Sequence, residues 1–224
     1  MRKQLKRVGY VIATFLVALA VLVTIEARKD KPEAEPVRKG ESRVVRDDSH
    51  VLGEKADTGV TFVEFLDFEC EGCRAAYPFV EQLREDYEGR VTFVARYFPM
   101  PGHYNGMRAA RAVEAAAKQG KFEEMYHLMY ETQDEWGEQR TAADDVFRGF
   151  AKKLKLDLER FEDDYNDPAT EQRIEKDVAD GHELGVQGTP TFFINGERLE
   201  PQSSDDLTDA LDDALAAAES DTKS

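Results

Sequence analysis

The chain has 224 residues, 30 basic and 46 acidic, and a formal charge of −16 at pH 7. The charge is unevenly spread: residues 51–224 carry 19 basic and 39 acidic side chains, a net −20, while the tail before them is basic. A surface of that sign repels nucleic-acid phosphates, which argues against such a partner, and reads as a solvated face that keeps the domain soluble.

Arg2, Lys3, Lys6 and Arg7 precede an almost unbroken apolar run of 18 residues from Val8 to Ile25. At ~1.5 Å per residue a helix of that length spans roughly 27 Å, close to the ~30 Å hydrocarbon core of a bilayer. The positive flank predicts a cytoplasmic N-terminus and an exported remainder. Residues 1–25 therefore read as a basic N-terminus and a single transmembrane anchor. The alternative is a secretory signal cleaved after Ala18-Leu19-Ala20, giving a secreted chain. The run outlasts the usual ~7–15-residue core of such signals, which favours the anchor. Residues 26–49 hold seven basic and seven acidic side chains and few apolar ones. They read as a flexible charged linker. Residues 50–224 form one domain by length.

Within that domain, His50-Val51-Leu52-Gly53 reads as a short edge strand. Val60 to Leu66 is rich in β-branched and aromatic residues without clean alternation, as in a central strand covered on both faces. Glu64 interrupts it. An isolated carboxylate there is costly, so its pKa should rise. Cys70-Glu71-Gly72-Cys73 follows, then a helix over 74–87 and a strand over 90–98. That crossover implies a parallel β-α-β unit. The only two cysteines thus sit at a helix start, close enough to bridge, where unpaired N–H groups and the helix dipole favour a thiolate. This is a reactive dithiol with no structural disulfide framework around it. Half of a zinc site is the other reading. It lacks a second CxxC or paired histidines, since His50, His103, His127 and His182 are scattered.

Helical texture takes over from about residue 105. The alanine-rich stretch 107–119 ends at Gly120, and Phe122, Met125, Tyr126, Met129 and Tyr130 form a core stripe. Thr141-Ala142-Ala143-Asp144 resembles a capping box before the next helix. A short helix follows over 157–165, and Asp167-Pro168 caps another that runs to about 183. Gly188-Thr189-Pro190 precedes the strand Thr191-Phe192-Phe193-Ile194, a setting that fits a cis peptide bond. Asn195-Gly196 signals a two-residue hairpin, and a final helix starts near Ser204. The order describes an α/β chain: a thioredoxin-like core with a helical insertion over about 105–166, preceded by a single N-terminal transmembrane helix.

Three spaced segments carry a family resemblance. Val63 through Cys73, Tyr97-Phe98-Pro99-Met100-Pro101-Gly102-His103-Tyr104-Asn105-Gly106, and Leu184 through Gly196 resemble, in the right order, the DsbA-like thioredoxin-fold disulfide oxidoreductases. The likeness covers about residues 50–218. It implies that Cys70 is the nucleophile and that Cys73 resolves the mixed disulfide. It implies that Thr189 and Pro190 form the cis-proline loop that meets an extended substrate strand. It also places an acidic residue six positions before the first cysteine beneath the second one. Glu64 is therefore expected to relay a proton to or from Cys73; an edge-facing or salt-bridged glutamate is the alternative. His103 is given no role.

The expected activity is thiol–disulfide exchange outside the cytoplasm, forming disulfides in exported proteins. Its partners are exported protein thiols and a membrane redox protein for recycling. A reductase or isomerase on the same fold is the runner-up, and a non-catalytic binding module the reading from another class. No metal, nucleotide or flavin motif is present, so the redox-active Cys70–Cys73 disulfide is the expected redox centre, with no other cofactor. With Glu69, Glu71 and no histidine around the cysteines, the couple is expected to be less oxidising than that of family members with a histidine between them.

Overall fold

The computed structural model describes residues 44–221. The apolar run from Val8 to Ile25 and most of the charged linker lie outside those residues. Among the described residues no helix is long and apolar enough to cross a membrane.

The chain order is β1 (His50–Leu52), β2 (Thr61–Leu66), α1 (Glu71–Asp86), β3 (Thr92–Tyr97), α2 (Gly106–Ala117), α3 (Phe122–Glu131), α4 (Gln133–Trp136), α5 (Asp144–Lys153), α6 (Leu158–Asn166), α7 (Pro168–Glu183), β4 (Thr191–Ile194), β5 (Glu197–Arg198) and α8 (Ser204–Asp221). The sheet order is β1-β3-β2-β4-β5. β2 lies in the centre, parallel to β3 and antiparallel to β4. β1 is an antiparallel edge strand on β3. Asn195 and Gly196 both adopt positive φ and turn β4 into β5, the conformation an Asn-Gly hairpin requires.

The side-chain period of two sorts β2 onto two cores. Phe62 and Leu66 join the large core with Cys73, Val80, Tyr126 and Tyr130. Val63 and Phe65 join the small core with Val94, Phe98 and Val186. Both faces are covered, as the non-alternating run of apolar residues predicts. Glu64 is in phase with Phe62 and Leu66 and so shares the face of the large core.

Helix caps follow the sequence in part. Asp157 accepts the Arg160 N–H at the start of α6, and Asp167 accepts the Ala169 N–H at the start of α7. The expected capping box at Thr141 does not form, because α5 begins at Asp144 with Ala143 in the cap position and no side-chain cap. Asn105 serves that end from a distance: its Oδ1 accepts the Ala143 N–H at 3.0 Å and its Nδ2 donates to the Thr141 carbonyl at 3.0 Å. α4, between α3 and α5, has no counterpart in the sequence reading.

The linker expected to stay flexible through Ser49 does not do so. The Val44 carbonyl accepts from Arg96 Nη1 at 2.7 Å, Arg46 makes a two-pronged pair with Asp180, and the Asp48 carbonyl accepts from Arg173. The anchor of this docking is a buried ion cluster. Arg96, Asp177 and Asp180 are fully buried; Arg96 reaches Asp177 at 2.8 Å and Asp180 at 2.6 Å, and Arg173 reaches Asp177 at 2.7 Å. The Asp177 carboxylate also accepts the Tyr97 N–H. Arg173 and Asp177, four residues apart on α7, and Asp180, three residues further on, are thereby tied to β3.

Candidate functional site

Helix α1 starts at Glu71, three residues earlier than the sequence reading placed it, which puts Cys70 at the N-cap and Cys73 in the first turn. Both cysteines are free thiols; Cys70 is half-buried and Cys73 has no exposed surface. Their sulfurs are neighbours. On the opposite side the Thr189–Pro190 peptide is cis, and the Cys70 thiol donates to the Thr189 carbonyl at 3.3 Å. The two segments the sequence singled out, 119 residues apart, thus meet at one sulfur.

The two thiols are made unlike by their surroundings. The Cys73 thiol beside it does most to lower the Cys70 pKa. The Thr189 hydroxyl and the backbone N–H groups of Cys73 and Gly72 add to the effect; burial opposes it, and the result is about 5. The Thr189 hydroxyl has no other partner among the described residues. As a thiol Cys70 makes no capping bond; as a thiolate it sits where a capping oxygen would, against donors that have no intrahelical acceptor. Cys73 moves the other way: burial first, then the neighbouring Cys70 and Glu64, hold its pKa well above the ordinary thiol value. On this basis the alkylation rate of Cys70 in the reduced protein should rise with a midpoint near pH 5, while Cys73 stays unreactive to pH 8. Mass spectrometry after timed iodoacetamide treatment reads both sites, and a Cys70 midpoint near 9 would contradict the assigned asymmetry.

Glu64 lies inside the sheet, 3% exposed. It makes no hydrogen bond or ion pair among the described residues, which removes the edge-facing and salt-bridged alternatives. Burial pushes its pKa up to about 8, and the charges of Glu81 and Cys70 add to this. Two buried hydroxyls on α3, Tyr126 and Tyr130, feel its charge and are themselves without partners among the described residues.

Several side chains brace the cysteine loop in ways the sequence does not show. Gln133 Nε2 donates to the carbonyls of Phe68 at 2.7 Å and Cys70 at 3.1 Å. Glu69, expected to oppose the thiolate from the loop, is buried instead. Its two oxygens accept the N–H groups of Asn105 and Glu138, and burial raises its pKa. Asp67 accepts the N–H groups of Glu69 at 2.9 Å and Met100 at 2.7 Å and pairs with His103 at 2.6 Å. The remaining histidines lie in other settings: His50 pairs with Glu114, His127 with the Tyr77 hydroxyl, and His182 packs on Phe98. Among the described residues no three His, Cys, Asp or Glu side chains are grouped to hold a metal.

The sequence profile of the thioredoxin family matches residues 46–213, which contain both halves of this site. The chain belongs to the thioredoxin family. A thioredoxin-like oxidoreductase from Silicibacter pomeroyi is 31% identical, with a TM-score of 0.64 over 78% of this chain and 96% of that one. Alpha-DsbA1 of Wolbachia pipientis superposes with a TM-score of 0.71 over 82% of this chain and 99% of its own, at 20% identity, a likeness of fold. The helical insertion over α2 to α6 gives this member of the family its DsbA-like form. Among curated proteins, the Na(+)/H(+) antiporter NhaA 3 of Salinispora tropica is 41% identical over 174 residues, which is 77% of this chain and 26% of the antiporter. The chain spans about a quarter of the length of the curated relatives it matches.

Proposed function

We propose that this chain is an extracytoplasmic thiol–disulfide oxidoreductase, held at the membrane by the segment from Val8 to Ile25, that forms disulfides in exported proteins. The observation that carries the reading is the asymmetry of the dithiol: one part-exposed sulfur favoured as thiolate beside the Thr189–Pro190 loop, and one buried sulfur favoured as thiol.

In the oxidising direction a substrate thiolate attacks Cys70 Sγ of the Cys70–Cys73 disulfide. The S–S bond breaks and Cys73 leaves with the electron pair. A buried thiolate is unfavourable there, and Glu64, protonated near neutrality, stands ready to give it a proton. A second substrate thiolate then attacks the substrate sulfur of the mixed disulfide and expels Cys70 as a stabilised thiolate. The substrate gains a disulfide, the chain holds two more electrons, and a membrane redox partner removes them. Easy departure of Cys70 favours the dithiol form, and hence oxidation of substrates. The site therefore supports a more oxidising couple than the acidic loop composition suggests, since Glu69 is engaged elsewhere.

The reduction potential of the full chain against glutathione tests the direction. A value towards the about −120 mV of DsbA supports the oxidase, and one near the about −270 mV of thioredoxin supports the reductase. No activity in either insulin reduction or dithiol oxidation would leave a binding module. Resistance of the full chain to extraction from membranes at alkaline pH tests the anchor, and a soluble chain that begins at Val21 would instead support signal cleavage after Ala20.

Replacing Glu64 with glutamine keeps the shape and removes the proton. Steps that protonate or deprotonate Cys73 should slow about 10- to 100-fold, at the lower end of general acid–base contributions because water can substitute in part. The wild type should lose rate of Cys73 departure as pH rises through about 8, where Glu64 gives up its proton, and the variant should not. The same profile from pH 6 to 8 in both would remove the relay. The variant should also gain stability relative to wild type as pH rises. A carboxyl whose folded pKa is raised binds its proton more tightly in the folded state, so wild-type stability falls between the unfolded value and about 8.

A further inference from the structure

The loop that carries Cys70 is built around one buried carboxylate. The carbonyl of Asp67 accepts the Cys70 N–H at 3.1 Å, its Oδ1 accepts the Glu69 N–H, and its Oδ2 accepts the Met100 N–H and faces His103 Nδ1 at 2.6 Å. The Asp67 side chain is fully buried, while His103 keeps about a quarter of its surface. Gly106 closes the other side; a Cβ there would lie 2.9 Å from Asp67 Oδ1, so no side chain at that position can stand beside the carboxylate. A carboxylate removed from water and held only by neutral donors is costly, and an imidazolium on it offsets the cost. His103 Nε2 has no partner among the described residues. Between the cysteines stand only Glu71 and Gly72, and the next cation along the helix, Arg74, is paired with Asp134.

We infer that Asp67 and His103 are a positioning pair for the exchange reaction: Asp67 holds the His103 cation on the cysteine loop, and that cation favours Cys70 as thiolate. This rests on the oxidoreductase reading above. The hydrogen bond to Asp67 raises the His103 pKa most, the charges of Cys70 and Glu69 assist, and the value reaches about 9, so the ring is charged at neutral pH. The groups around the pair work in both directions. Asp67 on the loop and Glu71 on α1 oppose the thiolate, while Glu69 is turned into the protein on the Asn105 and Glu138 N–H groups and Glu64 on β2 holds its proton near neutrality. Cys73 and Arg74 on α1 and Thr189 before β4 support it. Because Asp67 brings its own negative charge, the effect on Cys70 is that of a dipole, on the order of tenfold in the thiol–thiolate equilibrium.

Two measurements on the full chain test this. In wild type, the His103 ring proton followed by NMR should titrate at higher pH in the dithiol form than in the disulfide form, because the coupling is reciprocal; equal midpoints overturn the inference and need no variant. In the second, glutathione equilibria are compared for wild type, His103→Gln and His103→Arg. At pH 7 the glutamine variant should favour its disulfide about tenfold more, which for a two-electron couple is about 30 mV more reducing. The arginine variant should return most of the difference. At pH 10.5, where His103 is neutral, the gap between wild type and glutamine should close. Equal shifts in both variants, or a gap that persists at pH 10.5, would assign His103 to packing and sink the inference. If wild type itself failed to exchange with glutathione, the oxidoreductase reading would fall instead.

Discussion

Replacing Cys73 with serine is expected to turn the chain from a turnover catalyst into a trap. Cys70 keeps its helix N-terminus, its contact with Thr189 and its exposure, so it still attacks or receives a substrate sulfur. What disappears is the second sulfur, which is fully buried against the first and placed to displace the substrate. With no resolving thiol, release waits for an outside thiol, and turnover should fall by about 10³-fold or more, the scale of losing an activated nucleophile. Non-reducing gels of membranes expressing Cys73→Ser should show adducts with exported proteins that vanish with dithiothreitol. Cys70→Ser should show neither adducts nor turnover. The Cys73 thiol is also the largest influence lowering the Cys70 pKa; a serine hydroxyl can donate in its place, so the trapped species should still form at neutral pH. Adducts formed equally by Cys70→Ser would show that the two sulfurs have the opposite assignment.

Replacing Asp177 with alanine is expected to be the most destabilising single change outside the site. The carboxylate joins Arg96, Arg173 and the Tyr97 N–H at a place without solvent. Its removal leaves a guanidinium on β3 and one on α7 short of a counter-charge, and a strand amide without an acceptor. Breaking a buried pair by removing one partner costs about 3–5 kcal/mol. For a domain of this size that lowers the melting temperature by roughly 6–20 °C. Urea unfolding with an unchanged slope would read the loss. A change below about 1 kcal/mol would mean that water reaches the cluster. The alkylation profile of Cys70 should not change, because the cluster lies on the other face of the sheet from the dithiol.

These two experiments differ in how visible their targets are in the sequence. The two cysteines fall within four consecutive residues just after an apolar strand, and the helix dipole acts on the residue that begins the helix, so their reactivity is a local matter. The same holds for the Asn195-Gly196 turn, the Asp157 and Asp167 caps and the alternating order of strands and helices. Glu64 was legible for a related reason: a single charge in a strand covered on both sides stands out against apolar neighbours. Its lack of an ion-pair partner was not legible.

Asp67, Glu69, Asn105, Gln133, Asp177 and Asp180 gave no such sign. In a domain with 39 acidic residues an aspartate is an ordinary surface residue until a fold buries it. Glu69 illustrates the error this causes. Its sequence neighbour is Cys70, and adjacency alone predicts that it opposes the thiolate, but its carboxylate turns into the protein to hold the N–H groups of Asn105 and Glu138. His103 shows the converse: a lone histidine 33 residues beyond Cys70 becomes part of the cysteine loop's surroundings through Asp67.

By itself the sequence determined the family form of the chain, the placing of the only two cysteines at a helix start and the order in which strands and helices follow one another, because capping, side-chain alternation and turn geometry act over a few residues. Only the tertiary structure decided how deeply each sulfur is buried, that no ion pair meets Glu64 among the described residues, and that His103 stands by the cysteine loop through Asp67. Those depend on burial and on distances through space, and electrostatic energy follows such distances regardless of how much chain lies between the groups.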